Sequence, residues 1–163
     1  MAKNKEEKTN VMRVLEQKKI AYTAHTYPHE EGMAVDGVTV AQSMGFDPAI
    51  VFKTLVARGA SKQYYVFDVP VAENLDLKKA AKAVGEKSIE MIHQKELLPL
   101  TGYVHGGCSP VGMKKLFPTV FHSSAENLAA MIVSAGKIGY QVELAPRDLA
   151  ALVRAKFADL IAE

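Results

Sequence analysis

A chain of 163 residues that is 48% hydrophobic can bury one proper core and is too short for two comfortable domains. Lysine and arginine number 20 against 18 acidic residues, a net charge of +2. That balance contrasts with the strongly basic faces of proteins that grip long stretches of nucleic acid; it neither announces a nucleic-acid binder nor excludes one, since an enzyme that touches only the end of an RNA needs few phosphate contacts. One cysteine, Cys108, excludes an intrachain disulfide. The longest purely apolar run, Leu128 to Val133, is six residues, far below the roughly 20 that cross a bilayer. The N-terminus MAKNKEEKTN lacks the apolar segment of a signal peptide, so a cytoplasmic protein with no membrane partner is expected.

Residues 1–8 are polar enough to form a disordered tail, and 9–163 read as the domain. Val11, Val14, Leu15 and Lys18 repeat at helical spacing behind a cap at Thr9 or Asn10, and this helix ends near Lys19. Ile20 to Tyr27 suits a short strand stopped by Pro28, and His29 to Gly37 a loop. Val38 to Met44 reads as a helix closed by Gly45, followed by another turn from Asp47-Pro48. Two apolar runs, Ile50 to Ala57 and Gln63 to Val71, flank the polar turn Arg58 to Lys62 and form an antiparallel hairpin. Asn74 or Asp76 caps a helix with Leu77, Ala80, Ala81 and Val84 on one face and Gly85 at its end. A strand near Ile89 to Met91 and a helix from Gln94 to Leu98 lead into a glycine-crowded loop. Ser123 and Glu126 have capping-box spacing. The chain closes with strand Met131 to Ser134, turn Ala135 to Gly139, strand Tyr140 to Leu144, a helix from Pro146 to about Lys156, and a last extended piece. Hairpins with helices inserted irregularly predict an α+β domain with a mixed or antiparallel sheet. GxGxxG after a strand and GxxxxGK[ST] are both absent, and no cofactor is implied.

The usual nucleophiles lack support: GxSxG is absent, and Cys108 stands in Gly107-Cys108-Ser109-Pro110 with no base beside it in sequence. His25 and His29 have a spacing that serves metals on helices, but Pro28 and strand-like flanks argue against a metal site, and HExxH does not occur. Lys53 is more informative, because alternation groups it with Val51 and Leu55 inside an apolar run. A lysine there either guards a sheet edge or opens into a pocket. The stretch Thr101 to Gly112 holds four glycines. It either brings backbone N–H groups against a ligand or is a tight connection.

Four motifs stand in order: Phe52-Lys53-Thr54-Leu55; Leu75-Asp76-Leu77-Lys78-Lys79-Ala80-Ala81-Lys82-Ala83-Val84-Gly85; Thr101-Gly102-Tyr103 with Gly106-Gly107, Ser109-Pro110, Gly112 and Lys114-Lys115; and Ala135-Gly136-Lys137 with Gly139. Together, over Val11 to Ile161, they resemble the YbaK/EbsC family of aminoacyl-tRNA deacylases. The resemblance implies a single α+β domain related to the editing insertion of bacterial prolyl-tRNA synthetases, with a twisted, partly barrel-like sheet surrounded by helices. It implies a trans-editing deacylase that clears Cys-tRNA(Pro), with the tRNA(Pro) acceptor end as substrate and prolyl-tRNA synthetase as a candidate partner. Carried over by position, the catalytic lysine is Lys53, the tyrosine of the His25-Thr26-Tyr27 segment is Tyr27, the substrate-loop glycines are Gly106 and Gly107, and Ser134 and Gly136 line the same pocket. Close relatives have GlyGlyLysArgGly where this chain has Ala135-Gly136-Lys137-Ile138-Gly139, and some have an acidic residue at Gln141. The implied chemistry uses the substrate's own thiol, which attacks its ester carbonyl while the protein orients it. The rival readings are a water-based deacylase of another aminoacyl-tRNA(Pro), such as Ala-tRNA(Pro), and a non-catalytic binder of tRNA or synthetase.

Overall fold

The computed structural model describes residues 8–162; the proposed tail lies outside them except for Lys8. Helix α1 (Asn10–Gln17) is capped by Thr9, whose hydroxyl accepts the Met12 N–H at 3.3 Å, and it turns Val11, Met12 and Leu15 inward. Strand β1 (Thr23–Thr26) follows, then α2 (Gly37–Met44), which Asp36 caps and Gly45 closes in the left-handed conformation. After a 3-10 turn at Pro48–Ile50, the hairpin forms from β2 (Phe52–Gly59) and β3 (Tyr64–Pro70). Next come α3 (Leu77–Val84), β4 (Ile89–Met91), α4 (Gln94–Thr101), β5 (Thr119–His122), β6 (Met131–Ser134), β7 (Tyr140–Leu144), α5 (Pro146–Val153) and β8 (Lys156–Ala158).

Two sheets result. The larger has the order β4-β2-β3-β5-β8, antiparallel from β4 to β3 and parallel from β3 to β8; the smaller is antiparallel, β1-β7-β6. They are not closed into a barrel, although a parallel bridge between Val51 and Ile132 ties β6 to the start of β2. Side-chain alternation along β3 separates two cores. Phe67 and Val69 face Ala80 and Ala81 of α3, while Phe52 and Phe121 on the opposite face pack with the small sheet, α1 and α5. The central strand β3 is therefore buried on both sides, which is why it reads as a nearly continuous apolar run.

Three local expectations are corrected. Ser123 caps nothing: Ser123–Asn127 is a single 3-10 turn entered from His122, without a side-chain cap. The reciprocal arrangement occurs instead at α4, where the Glu96 carboxylate accepts the His93 backbone N–H at 2.9 Å. Helix α5 stops at Val153 with Arg154 left-handed (φ 58°), because Lys156 must already pair beside β5. Helix α4 extends to Thr101 with Pro99 inside it.

Helix α3 offers a clean stability test. Asp76 accepts N–H bonds from Lys78 at 2.9 Å and Lys79 at 3.1 Å, so Asp76→Ala orphans two donors and costs about 1 kcal/mol. The expected result is a lower urea midpoint at unchanged slope; an unchanged midpoint would show that solvent replaces the cap.

Candidate active site

The site arises from a gap in the pairing of β2. On its outer edge, β6 bridges at Val51 and β4 pairs with Ala57–Gly59. No described strand covers Phe52 to Leu55 on that side. The ladder itself shows what the gap exposes. Val71 N–H donates to Val51 O at 2.8 Å and Gly59 N–H to Gln63 O at 2.9 Å, so the odd-numbered residues of β2 exchange bonds with β3. Thr54 must then direct its N–H and C=O outward.

Into this gap opens a cavity of about 310 Å³ lined by Phe52, Lys53, Thr54 and Leu55, at the small end of ligand sites. Lys53 serves both readings of the sequence, since it stands at an uncovered edge and lines a cavity. Burial pulls its ammonium down from the usual lysine range, with the charge of Glu73 opposing. Tyr27 closes another side; it is buried, its N–H donates to Gly139 O at 3.0 Å, and burial raises its phenol despite an opposing Gly139 backbone bond.

Across the small sheet, Ser134 pairs with Gln141, and both reach the cavity. The Ser134 hydroxyl accepts the Gly136 N–H at 3.0 Å, which keeps its own proton for another acceptor. Gln141 is buried, and its Oε1 has no hydrogen-bond partner among the described residues.

The glycine-rich loop divides its labour. Gly106 lines the cavity at φ +90°, and a Cβ there would come within 2.7 Å of Ala34 Cβ. Gly107 does not line it: its N–H is committed to Val104 O at 3.0 Å, and a Cβ would press to 3.1 Å from the Ile138 backbone N. Gly136 also stays out of the wall, packed in the β6–β7 turn against Tyr103 and Val11. Thus Lys53, Tyr27, Gly106 and Ser134 are brought together, whereas Gly107 and Gly136 shape the backbone behind them. Thr54 and His105 were missed as lining residues, along with the apolar wall of Val40, Val51 and Val71. His25 bonds Glu143 at 2.7 Å, far from any partnership with His29, whose Nδ1 contacts Tyr27 O at 3.1 Å.

Residues 29–152 match the sequence model of the "Aminoacyl-tRNA editing domain". The chain belongs to the aminoacyl-tRNA editing family. This editing protein is 45% identical over 161 residues, 98% of each chain, to an Enterococcus faecalis protein named "Putative Cys-tRNA(Pro)/Cys-tRNA(Cys) deacylase EbsC". A solved structure described as "a putative trans-editing enzyme for prolyl tRNA synthetase" superposes with a TM-score of 0.78 at 26% identity, over 94% of this chain and 95% of that one. Another, of a hypothetical protein, shares the fold at a TM-score of 0.82 and 19% identity, over 93% and 99%. The editing protein is accordingly an aminoacyl-tRNA deacylase.

Its one thiol is poorly placed to act as the nucleophile. Cys108 is buried, and burial together with the charge of Asp68 pushes it up to about 12. The native thiol is expected to react with a disulfide reagent at pH 8 slower than the unfolded chain by about 100-fold or more, and Cys108→Ala should keep turnover within about twofold. A fast-reacting native thiol, or an inactive Cys108→Ala that still folds, would make it a nucleophile candidate.

Proposed function

We propose that the protein is a trans-editing deacylase that releases cysteine from mischarged Cys-tRNA(Pro) by using the substrate's own thiol. The observation that carries this reading is a largely apolar cavity edged by a few polar groups, in which the chain's one cysteine is held protonated against the core. Lys53, Tyr27, Thr54, Ser134 and Gln141 supply the groups that bind and orient, and among the described residues no nucleophile there is hydrogen-bonded to a base.

In this reading the ester end enters at the β2 edge. Lys53 holds or polarises the ester, the Gly106 backbone approaches the developing oxyanion or the ribose, and Tyr27 positions the terminal adenosine. Ser134 contributes a hydroxyl proton, and Gly107 and Gly136 fix the loop and turn. The substrate sulfur, as thiolate, attacks its own carbonyl carbon. A C–S bond forms, the C–O bond to the ribose breaks, and the ribose oxygen takes up a proton, leaving a four-membered thiolactone that water later opens. A free thiol has a pKa near 8.5, so its thiolate is accessible close to neutral pH, and the cavity needs chiefly to fix geometry and stabilise charge.

Net charge supports a division of labour with a partner. At +2, few phosphates can be neutralised, so tRNA binding alone is weak and only mildly salt-sensitive; prolyl-tRNA synthetase is the proposed source of tRNA selectivity. Among the described residues no helix is long and apolar enough to cross a membrane, and the proposed substrate supports a reaction in the cytoplasm. Residues 9–163 are proposed to act as one domain.

The test is a deacylation panel of tRNA(Pro) charged with cysteine, alanine, serine or proline, run with wild type and Lys53→Ala. Cysteine should be released fastest, and Lys53→Ala should lose about 100-fold or more in kcat/KM while melting normally. Preferential release of alanine would favour activated water instead. A folded Lys53→Ala with wild-type turnover would remove Lys53 from the catalytic machinery.

A further inference from the structure

Across the β2–β3 ladder from Thr54 stands Asp68, fully shielded from solvent between Phe67 and Val69. Its Oδ1 accepts the Thr54 hydroxyl at 2.5 Å, and its buried Oδ2 has no hydrogen-bond partner among the described residues. A carboxyl buried without a cation beside it is costly to the fold. An apolar residue would fill the same place without that cost, so stability does not account for Asp68. Thr54 lines the cavity and Asp68 does not, so the Thr54 hydroxyl is the hydrogen bond that links this carboxyl to a wall residue.

We propose that Asp68 is a positioning residue of the editing pocket, setting through Thr54 which hydrogen-bonding face the wall turns toward the aminoacyl group. This rests on the reading of the β2-edge cavity as the substrate site. Ionised Asp68 can only accept, so the Thr54 proton is committed to it and Oγ1 offers lone pairs to the cavity. Such a wall suits an α-ammonium or a thiol S–H. Protonated Asp68 can donate to Thr54 Oγ1 instead, and the hydroxyl then turns its own proton outward, toward an acceptor such as the ester carbonyl. One proton on a buried carboxyl reverses the polarity of the wall.

The surroundings place that exchange in the working range. Burial pushes the Asp68 carboxyl up to about 7, with the Thr54 bond opposing. The titratable groups on its side are Cys108, raised by burial and by Asp68, and behind it Tyr103, raised by burial and by Cys108. From β5 the register partner is Phe121. Alternation puts Lys53 on the other face of β2, where the charge acting on it is that of Glu73.

The experiment measures kcat/KM between pH 5.5 and 8.5 for wild type, D68N, T54V and the double variant, on the aminoacyl-tRNA(Pro) that wild type cleaves fastest, with thermal melts alongside. An inflection near neutral pH in wild type should be absent from D68N and from T54V. Each should lose about fivefold or more in kcat/KM at its least favourable pH, and the double variant should be no slower than T54V. The folded carboxyl holds its proton more tightly than the unfolded one, so wild-type stability should fall relative to D68N as pH rises from the ordinary aspartate range to about 7. A merely structural Asp68 would produce that stability trend and leave the kcat/KM profile alone. A wild-type profile in D68N, or effects of the two substitutions that multiply, overturns the proposal. If D68N does not fold, T54V decides alone: a lost inflection supports the proposal and an unchanged one overturns it. Lys53→Ala assayed in parallel separates the two readings. If it is inactive while D68N and T54V behave as wild type, only the Asp68 inference fails; if it is fully active, the site assignment fails with it.

Discussion

The uncovered edge of β2 between Phe52 and Leu55 is the constraint on which the rest of the molecule depends. Strand edges are ordinarily paired or blocked, because their free N–H and C=O groups are costly to bury and prone to unwanted pairing. Here β4 is only three residues long and β6 touches the strand at a single bridge. The interval between them is filled by neither. Backbone groups at Thr54, a lysine and a hydroxyl are thereby offered to a ligand on a strand held rigid from its other side by β3. Rigid support matters for a site whose proposed task is orientation, since small misplacements of a reacting group cost large factors in rate.

Around that edge, the polar groups are distributed in a way that suits binding a reactive substrate more than attacking it. Lys53 loses ammonium stability through burial, Ser134 is engaged by a backbone N–H, and Gln141 keeps an unpartnered oxygen in the core. Cys108 lies close enough to line the cavity, yet apolar neighbours Val56, Val66 and Phe117 hold it in the core. In the proposed mechanism the bound amino acid supplies the thiol chemistry, and the protein can exclude others by what they lack. Serine, with a hydroxyl that ionises far less readily than a thiol, would have to form an analogous strained ring.

The sequence carried the local architecture well wherever a single physical signal governed it. The Arg58–Lys62 turn between two apolar runs gave the hairpin, and Asp76 with Gly85 bounded α3. Lys53 was legible because a charge inside an alternating apolar run demands an explanation. Asp68 gave the same signal in the other arm of the hairpin, a carboxylate between Phe67 and Val69, and the continuity of the run hid it. What could not be read was long-range. Nothing in the local pattern reveals that β4 stops short, that Ser134 and Gln141 meet across a small sheet, or that the Gly107 N–H is already spent on Val104. Ser123 and Glu126 had the right spacing for a cap, but tertiary packing allowed only one 3-10 turn there. Family motifs pointed to Gly106, Gly107 and Gly136, and of these only Gly106 lines the cavity.

The central claim is that chemistry at the β2 edge belongs to the substrate's sulfur. Its most direct test compares single-turnover release from Cys-tRNA(Pro) with release from the same tRNA carrying S-methylcysteine, which preserves the ester and nearly the shape while removing the nucleophile. Rapid release of cysteine and release of S-methylcysteine at the rate seen without enzyme is the expected result. Equal enzymatic rates for the two, with binding of both verified by competition, would contradict it and assign the attack to water or to the protein.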